Sequence, residues 1–219
     1  MNKLLSILAF IVCIGTTHAQ GTLPFWNEIQ AFKTADSISF PRKNQVLFIG
    51  SSSFRMWKKV NEDLPGYTIL NRSFGGSTLK DQVRYRYDVM FPYQPKQIVL
   101  YCGENDLAES DTVTADMVVT RFTTLFGLMR SKYPDVPFVF VSIKPSPSRE
   151  HLLPKVIDAN AKIKAWLADK KKTVFVDVFH AMLNADGTIM QDIFLADRLH
   201  MNAKGYAIWI RLLKPHLLK

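Results

Sequence analysis

Val46-Leu47-Phe48-Ile49-Gly50-Ser51-Ser52-Ser53 is the stretch on which the fold of this chain turns. Four apolar residues, β-branched and aromatic among them, run without polar alternation into a glycine and three serines. A strand with one wet face alternates; a strand covered on both faces does not. The run therefore predicts a buried strand of a parallel sheet. The Gly-Ser-Ser-Ser after it predicts a tight turn from the strand's carboxyl end into a helix. A serine on such a turn can expose its Oγ, and the free N–H groups of a helix start favour developing negative charge. Gly and Ser are also the residues of ordinary turns and caps, so the motif gains weight only from its surroundings.

Similar apolar runs occupy 98–101, 138–143 and 174–176, and a weaker one occupies 67–70. Helical spacing separates them. Val113, Met117, Val118, Phe122, Leu125 and Met129 form one stripe; Val156, Ala159, Ile163, Trp166 and Leu167 form a second; Tyr206, Trp209, Ile210 and Leu213 form a third. The Met and aromatic positions of these stripes read as core. Asn202 is placed to cap the last helix, and a first helix is expected over 25–33. Alternating strands and helices imply an α/β fold with a five-stranded parallel sheet and right-handed crossovers. In such sheets ligands bind beyond the carboxyl ends of the strands, so the loops there are where chemistry is to be sought.

The 219 residues suffice for one well-buried domain, and 47% hydrophobic with 21% charged residues is an ordinary globular composition. Residues 1–19 read as a signal peptide. Lys3 precedes an apolar segment over 4–14 that is too short to span a bilayer, and Thr17-His18-Ala19 ends in a small residue. Cleavage after Ala19 would leave a domain over 20–219, exported to the periplasm or the medium, without a transmembrane segment. Cys13 raises a lipoprotein alternative, but Val12 before it is not the small residue such signals carry. Cys102 then remains alone, so no internal disulfide is expected; it reads as a buried small hydrophobe. The formal charge of +9, or +8 once Lys3 is removed, favours anionic surfaces or substrates. No basic-aromatic module points to nucleic acid, and Lys170-Lys171-Lys172 reads as the solvated end of a helix.

Three further polar segments accompany the serine turn. Asn71-Arg72-Ser73-Phe74-Gly75-Gly76 follows the weak strand, and its paired glycines permit close backbone approach. Gly103-Glu104-Asn105-Asp106 follows the 98–101 strand; Asn105 can donate over the sheet edge, and Asp106 can cap the next turn. Asp197-Arg198-Leu199-His200 precedes the final helix. A spacing of three lets the carboxylate fix the imidazole tautomer, leaving the other ring nitrogen to take a serine proton. Asp186 and Asp192 are rival acids, with turn formation as their plain role. Loops 91–95 and 144–148 lie near strand ends and either shape a pocket or merely connect. His151, His180, His200 and His216 form no ligand cluster, so neither metal nor other cofactor is expected.

Together these four segments resemble the GDSL/SGNH hydrolase superfamily over about 46–213. The resemblance implies a three-layer α/β/α sandwich, flavodoxin-like, and a serine esterase. Carried over by position, the nucleophile falls on Ser52, the other triad members on Asp197 and His200, and the oxyanion donors on the Ser52 N–H, the Gly76 N–H and the Asn105 side chain. Ser51 stands where the family usually has aspartate; a hydroxyl can still bond the loop, so the geometry is expected to survive. The expected substrates are small-molecule, glycan or lipid esters. Short-chain or O-acetyl esters are favoured, because no lid or extended apolar insertion is visible. The Asp-Arg-Leu-His block with Gly205-Tyr206 also looks like the platelet-activating-factor-acetylhydrolase branch. Alternatives are a lysophospholipase or thioesterase, and a non-catalytic glycan-binding protein on the same scaffold.

Overall fold

In the computed structural model, which describes residues 23–219, each of the five apolar runs supplies a strand. The elements are α1 (Trp26–Ile38), β1 (Val46–Gly50), α2 (Ser52–Arg55), α3 (Val60–Asp63), β2 (Ile69–Asn71), α4 (Leu79–Arg84), α5 (Arg86–Val89), β3 (Gln97–Tyr101), α6 (Glu104–Ala108), α7 (Ala115–Lys132), β4 (Phe138–Val141), α8 (Leu153–Leu167), β5 (Thr173–Val176) and α9 (Ala203–Leu213). The strands pair in the order β2-β1-β3-β4-β5, all parallel. The expected leader and Cys13 lie outside the described residues.

Every residue of β1, β3 and β4 is buried, which is why these runs do not alternate. Their side chains divide between two cores, one on each face. Leu47, Ile49, Ile98, Leu100, Phe138 and Phe140 join the buried stripes of α7 and α8. Val46, Phe48, Val99, Tyr101, Val139 and Val141 join Phe54, Trp57, Tyr206, Trp209 and Leu213 from the α2 and α9 side. The result is the expected three-layer α/β/α sandwich.

Several boundaries differ from the sequence reading, each for a local reason. β4 stops at Val141 rather than 143 because side chains take over the backbone bonding. Ser142 Oγ accepts from the Val178 and Phe179 N–H groups, and the Asn160 amide brackets Ile143 N–H and O, both at 2.8 Å. β2 spans 69–71 rather than 67–70, and Asn61 bonds both the N–H and the carbonyl of Ile69. α1 continues past residue 33 to Ile38, where Asp36 is tied to Arg72 and to the Tyr93 hydroxyl. Met117 is not core: it is 41% exposed, one helical step off the buried line through Val118, Phe122, Leu125 and Met129. Val113 lies before α7, whose cap is Thr114. Asn202 does cap α9, its side chain accepting from the Lys204 and Gly205 N–H groups. Among the described residues no helix is long and apolar enough to cross a membrane.

Candidate active site

The loops beyond β1, β2 and β3 and the turn before α9 meet at the carboxyl edge of the sheet. β1 ends on Gly50, whose φ of 134° belongs to glycine; a Cβ there would lie 1.9 Å from the Tyr101 carbonyl oxygen. That close approach lets the Ser51 N–H reach the same oxygen at 3.0 Å and starts α2 at Ser52. The Ser51 side chain makes no cap bond to the helix start. The backbone geometry of Gly50 and Ser51 holds the turn in its place.

Asp197 and His200 sit on a tight turn rather than in a helix, because Arg198 takes a left-handed φ of 56°. Asp197 Oδ1 accepts from the Leu199 and His200 N–H groups at 3.0 and 2.9 Å, while Oδ2 faces His200 Nδ1 at 2.6 Å. This self-bonding is what short acidic side chains do in turns, and here it fixes the ring as well. His200 Nε2 lies 2.9 Å from Ser52 Oγ. With the Nδ1 proton turned to the carboxylate, Nε2 is the acceptor for the serine hydroxyl proton. Burial alone would raise the Asp197 pKa. Hydrogen bonds from the His200 ring and from the two N–H groups outweigh burial and hold it at about 2, so the residue is a carboxylate at neutral pH. The rival acids are engaged elsewhere: Asp192 pairs with Lys204 and Asp186 with Thr188.

Asn105 stands beside Gly76, whose added Cβ would lie 3.9 Å from the Asn105 Nδ2. Asn105 Nδ2 donates to the Ser77 carbonyl at 3.1 Å, which leaves its second N–H uncommitted. Among the described residues, neither the Ser52 nor the Gly76 N–H donates to a protein acceptor. The structure thus brings Ser52, His200 and Asp197 into one hydrogen-bonded row, with Gly76 and Asn105 adjacent to each other. Such a constellation can generate a nucleophilic alkoxide and offer donors to an oxyanion.

Other residues around the site take roles that the sequence left open, gave differently or, for Gln82, did not signal. Asp106 does not cap the turn that follows it. It is fully buried, accepts from the Leu79 N–H at 2.9 Å and pairs with Arg121 at 2.8 Å. Burial outweighs these partners and pushes its pKa up to about 6. Gln82 Nε2 donates both to the Gly50 carbonyl and to Ser77 Oγ, joining two of the loops. The 144–148 segment is no plain connection, since Lys144 through Pro147 are buried beneath the site. Cys102 is buried as expected; its Sγ lies 3.5 Å from the Ser77 carbonyl, and burial pushes the thiol pKa well up. Among the described residues no group of three His, Cys, Asp or Glu is placed to hold a metal.

Comparison with known proteins gives the same picture at the level of family. No curated protein matches the chain. Among solved structures, a Streptococcus pneumonia protein named for platelet activating factor aligns with a TM-score of 0.75 at 20% identity, covering 89% of this chain and 92% of that one. A GDSL-like lipase from Bacteroides thetaiotaomicron aligns at 0.72 and 21% identity, covering 86% and 96%. An acetyl-xylooligosaccharide esterase from Geobacillus Stearmophilus aligns at 0.63 and 15% identity, covering 80% and 95%. At these identities the likeness is one of fold. The family model for GDSL-like Lipase/Acylhydrolase matches residues 36–208, most of the sequence, and on that match the chain belongs to this family and is an ester-hydrolysing enzyme.

Proposed function

We propose that the enzyme works through a Ser52-His200-Asp197 triad and an acyl-enzyme, on short-chain or O-acetyl esters. The observation that carries this reading is the row from Ser52 Oγ through the His200 ring to Asp197, at 2.9 and 2.6 Å. His200 Nε2 takes the proton of Ser52 as its Oγ attacks the ester carbonyl. The tetrahedral oxyanion is held by the Ser52 and Gly76 N–H groups and by Asn105 Nδ2. His200 then gives the proton to the leaving alcohol and activates water to release the acid. Asp197 stays ionised and stabilises the imidazolium.

A short acyl group suits the donor side of the site, where Arg149 and the buried Glu104 lie next to Asn105. A long aliphatic chain would have to rest against charged side chains and strip their solvation, which is costly. The acetyl-xylooligosaccharide esterase fold lends the same preference by analogy. Export, with cleavage after Ala19, belongs to this proposal.

The test is hydrolysis of a p-nitrophenyl ester series by the wild type and three serine variants. Ser52→Ala is expected to lose at least ~10³-fold in kcat, whereas Ser51→Ala and Ser53→Ala keep most of theirs. In the wild type, kcat/KM is expected to fall from acetate to octanoate. Native turnover by Ser52→Ala would refute the triad, and a rise toward octanoate would favour a lipid substrate.

A further inference from the structure

We propose that Arg149 is a positioning residue for the oxyanion donor, fixing the Asn105 amide through a buried ionic network that also reaches the His200 turn. The inference rests on the reading of Asn105 as an oxyanion donor. Arg149 Nη1 donates to Asn105 Oδ1 at 3.0 Å. A guanidinium can only donate and the Ser77 carbonyl can only accept, so the two ends of the amide have one assignment: Oδ1 toward Arg149, Nδ2 toward Ser77. The terminal torsion of asparagine is otherwise broad, and in a free side chain Nδ2 would not stay where charge develops.

Arg149 is itself held. Its Nη1 lies 3.4 Å from Glu104 Oε1, and Glu104 is buried with its carboxylate fully engaged. Ser146 Oγ donates to Oε1 at 2.6 Å, Tyr101 Oη donates to Oε2 at 2.7 Å, and Lys144 Nζ lies 3.0 Å from Oε2. Burial pulls the Glu104 pKa up, but Lys144, Arg149 and the two hydroxyl donors outweigh it, so the group stays ionised. Lys144 Nζ also donates to Ser146 Oγ and, at 2.8 Å, to the Leu199 carbonyl next to His200. The Ser148 N–H donates to the Arg198 carbonyl at 3.0 Å. One charged cluster therefore locks the donor loop after β3 to the turn that carries Asp197 and His200. Preorganised donors of this sort act because they need no reorientation as the reaction proceeds.

The experiment is a double-mutant cycle on p-nitrophenyl acetate with Arg149→Ala, Asn105→Ala and the pair, with Arg149→Lys as the conservative variant. Arg149→Met, which keeps the aliphatic stem, is measured in parallel so that a folded variant lacking the guanidinium is in hand. Losing an oxyanion donor costs roughly 10²–10³ in turnover, so Arg149→Ala and Arg149→Met should each lose about 10- to 100-fold in kcat with KM within about two-fold. In the Asn105→Ala background the Arg149 change should cost nothing more, because nothing is left to position. Arg149→Lys should recover part of the rate, since an ammonium supplies the charge and a donor without the planar fork. Equal losses in both backgrounds, or a raised KM with kcat kept, would overturn the proposal in favour of a substrate contact. Asn105→Ala at the wild-type rate would sink the reading of Asn105 itself; a damaged Asn105→Ala beside unaffected Arg149 variants would sink this inference alone.

Discussion

At the scale of single residues, the tightest constraint falls on Gly50. Any side chain there meets the Tyr101 carbonyl, and the backbone angle is one that only glycine adopts without strain. Strain of that kind costs about 1–3 kcal/mol before the clash is counted. Gly50→Ala should therefore lower Tm by at least ~5 °C and remove most esterase activity, because the turn that exposes Ser52 depends on the same approach. Matching melting curves and matching p-nitrophenyl acetate rates for variant and wild type would contradict this account. The glycine, the serine and the Asp-x-x-His spacing were all legible in the sequence because each is a local pattern. Arg149, Lys144 and Gln82 were not. Their partners lie far away in the chain, and a contact between distant side chains leaves no periodicity or spacing to read. With Ser51 in place of the family's aspartate the turn is held by a backbone bond from the Ser51 N–H, which side-chain identity does not report.

At the scale of elements, strand existence followed from burial on both faces, whereas strand ends did not. Asn160 and Asn61 take up backbone groups at the ends of β4 and β2, and an asparagine on a neighbouring helix cannot be foreseen from the apolar run whose end it sets. Asp106 is the clearest case of a side chain joining elements: it lies on α6, caps the first turn of α4 and pairs with α7. Its folded pKa of about 6 lies above the ~3.9 of an unfolded aspartate. A raised acid pKa means that the contribution to stability is fully present below about pH 3.9 and is lost as pH rises through about 6. Asp106→Asn keeps an acceptor for the Leu79 N–H and carries no charge to desolvate. The Tm of the variant relative to wild type should rise between about pH 4 and pH 7.5, by the equivalent of about 2 kcal/mol at most. A gap that shrinks over that range would mean that the Arg121 pairing outweighs burial.

At the scale of the molecule, two apolar cores hold the sheet rigid while the groups of the candidate site lie on turns and helix starts at one edge of it. Charge distribution decides what approaches that edge. Without Lys3 the chain carries a formal +8, and Lys58 and Lys59 just beyond α2 are exposed a few residues from Ser52. Arg198, between Asp197 and His200 in the turn, is exposed as well. Exposed charges of one sign around a cleft raise the local concentration of an oppositely charged substrate, and salt screens them over about 10 Å at 0.1 M. An anionic acetyl ester, such as an acetylated uronic acid, should therefore lose about 3- to 10-fold in kcat/KM between roughly 20 and 500 mM NaCl, while neutral p-nitrophenyl acetate changes by less than about two-fold. Parallel salt responses for the two esters would show that the surplus of positive charge faces away from the site and steers nothing into it. A divergence confined to KM would place the effect in binding, where long-range attraction acts equally on the bound ester and on its transition state.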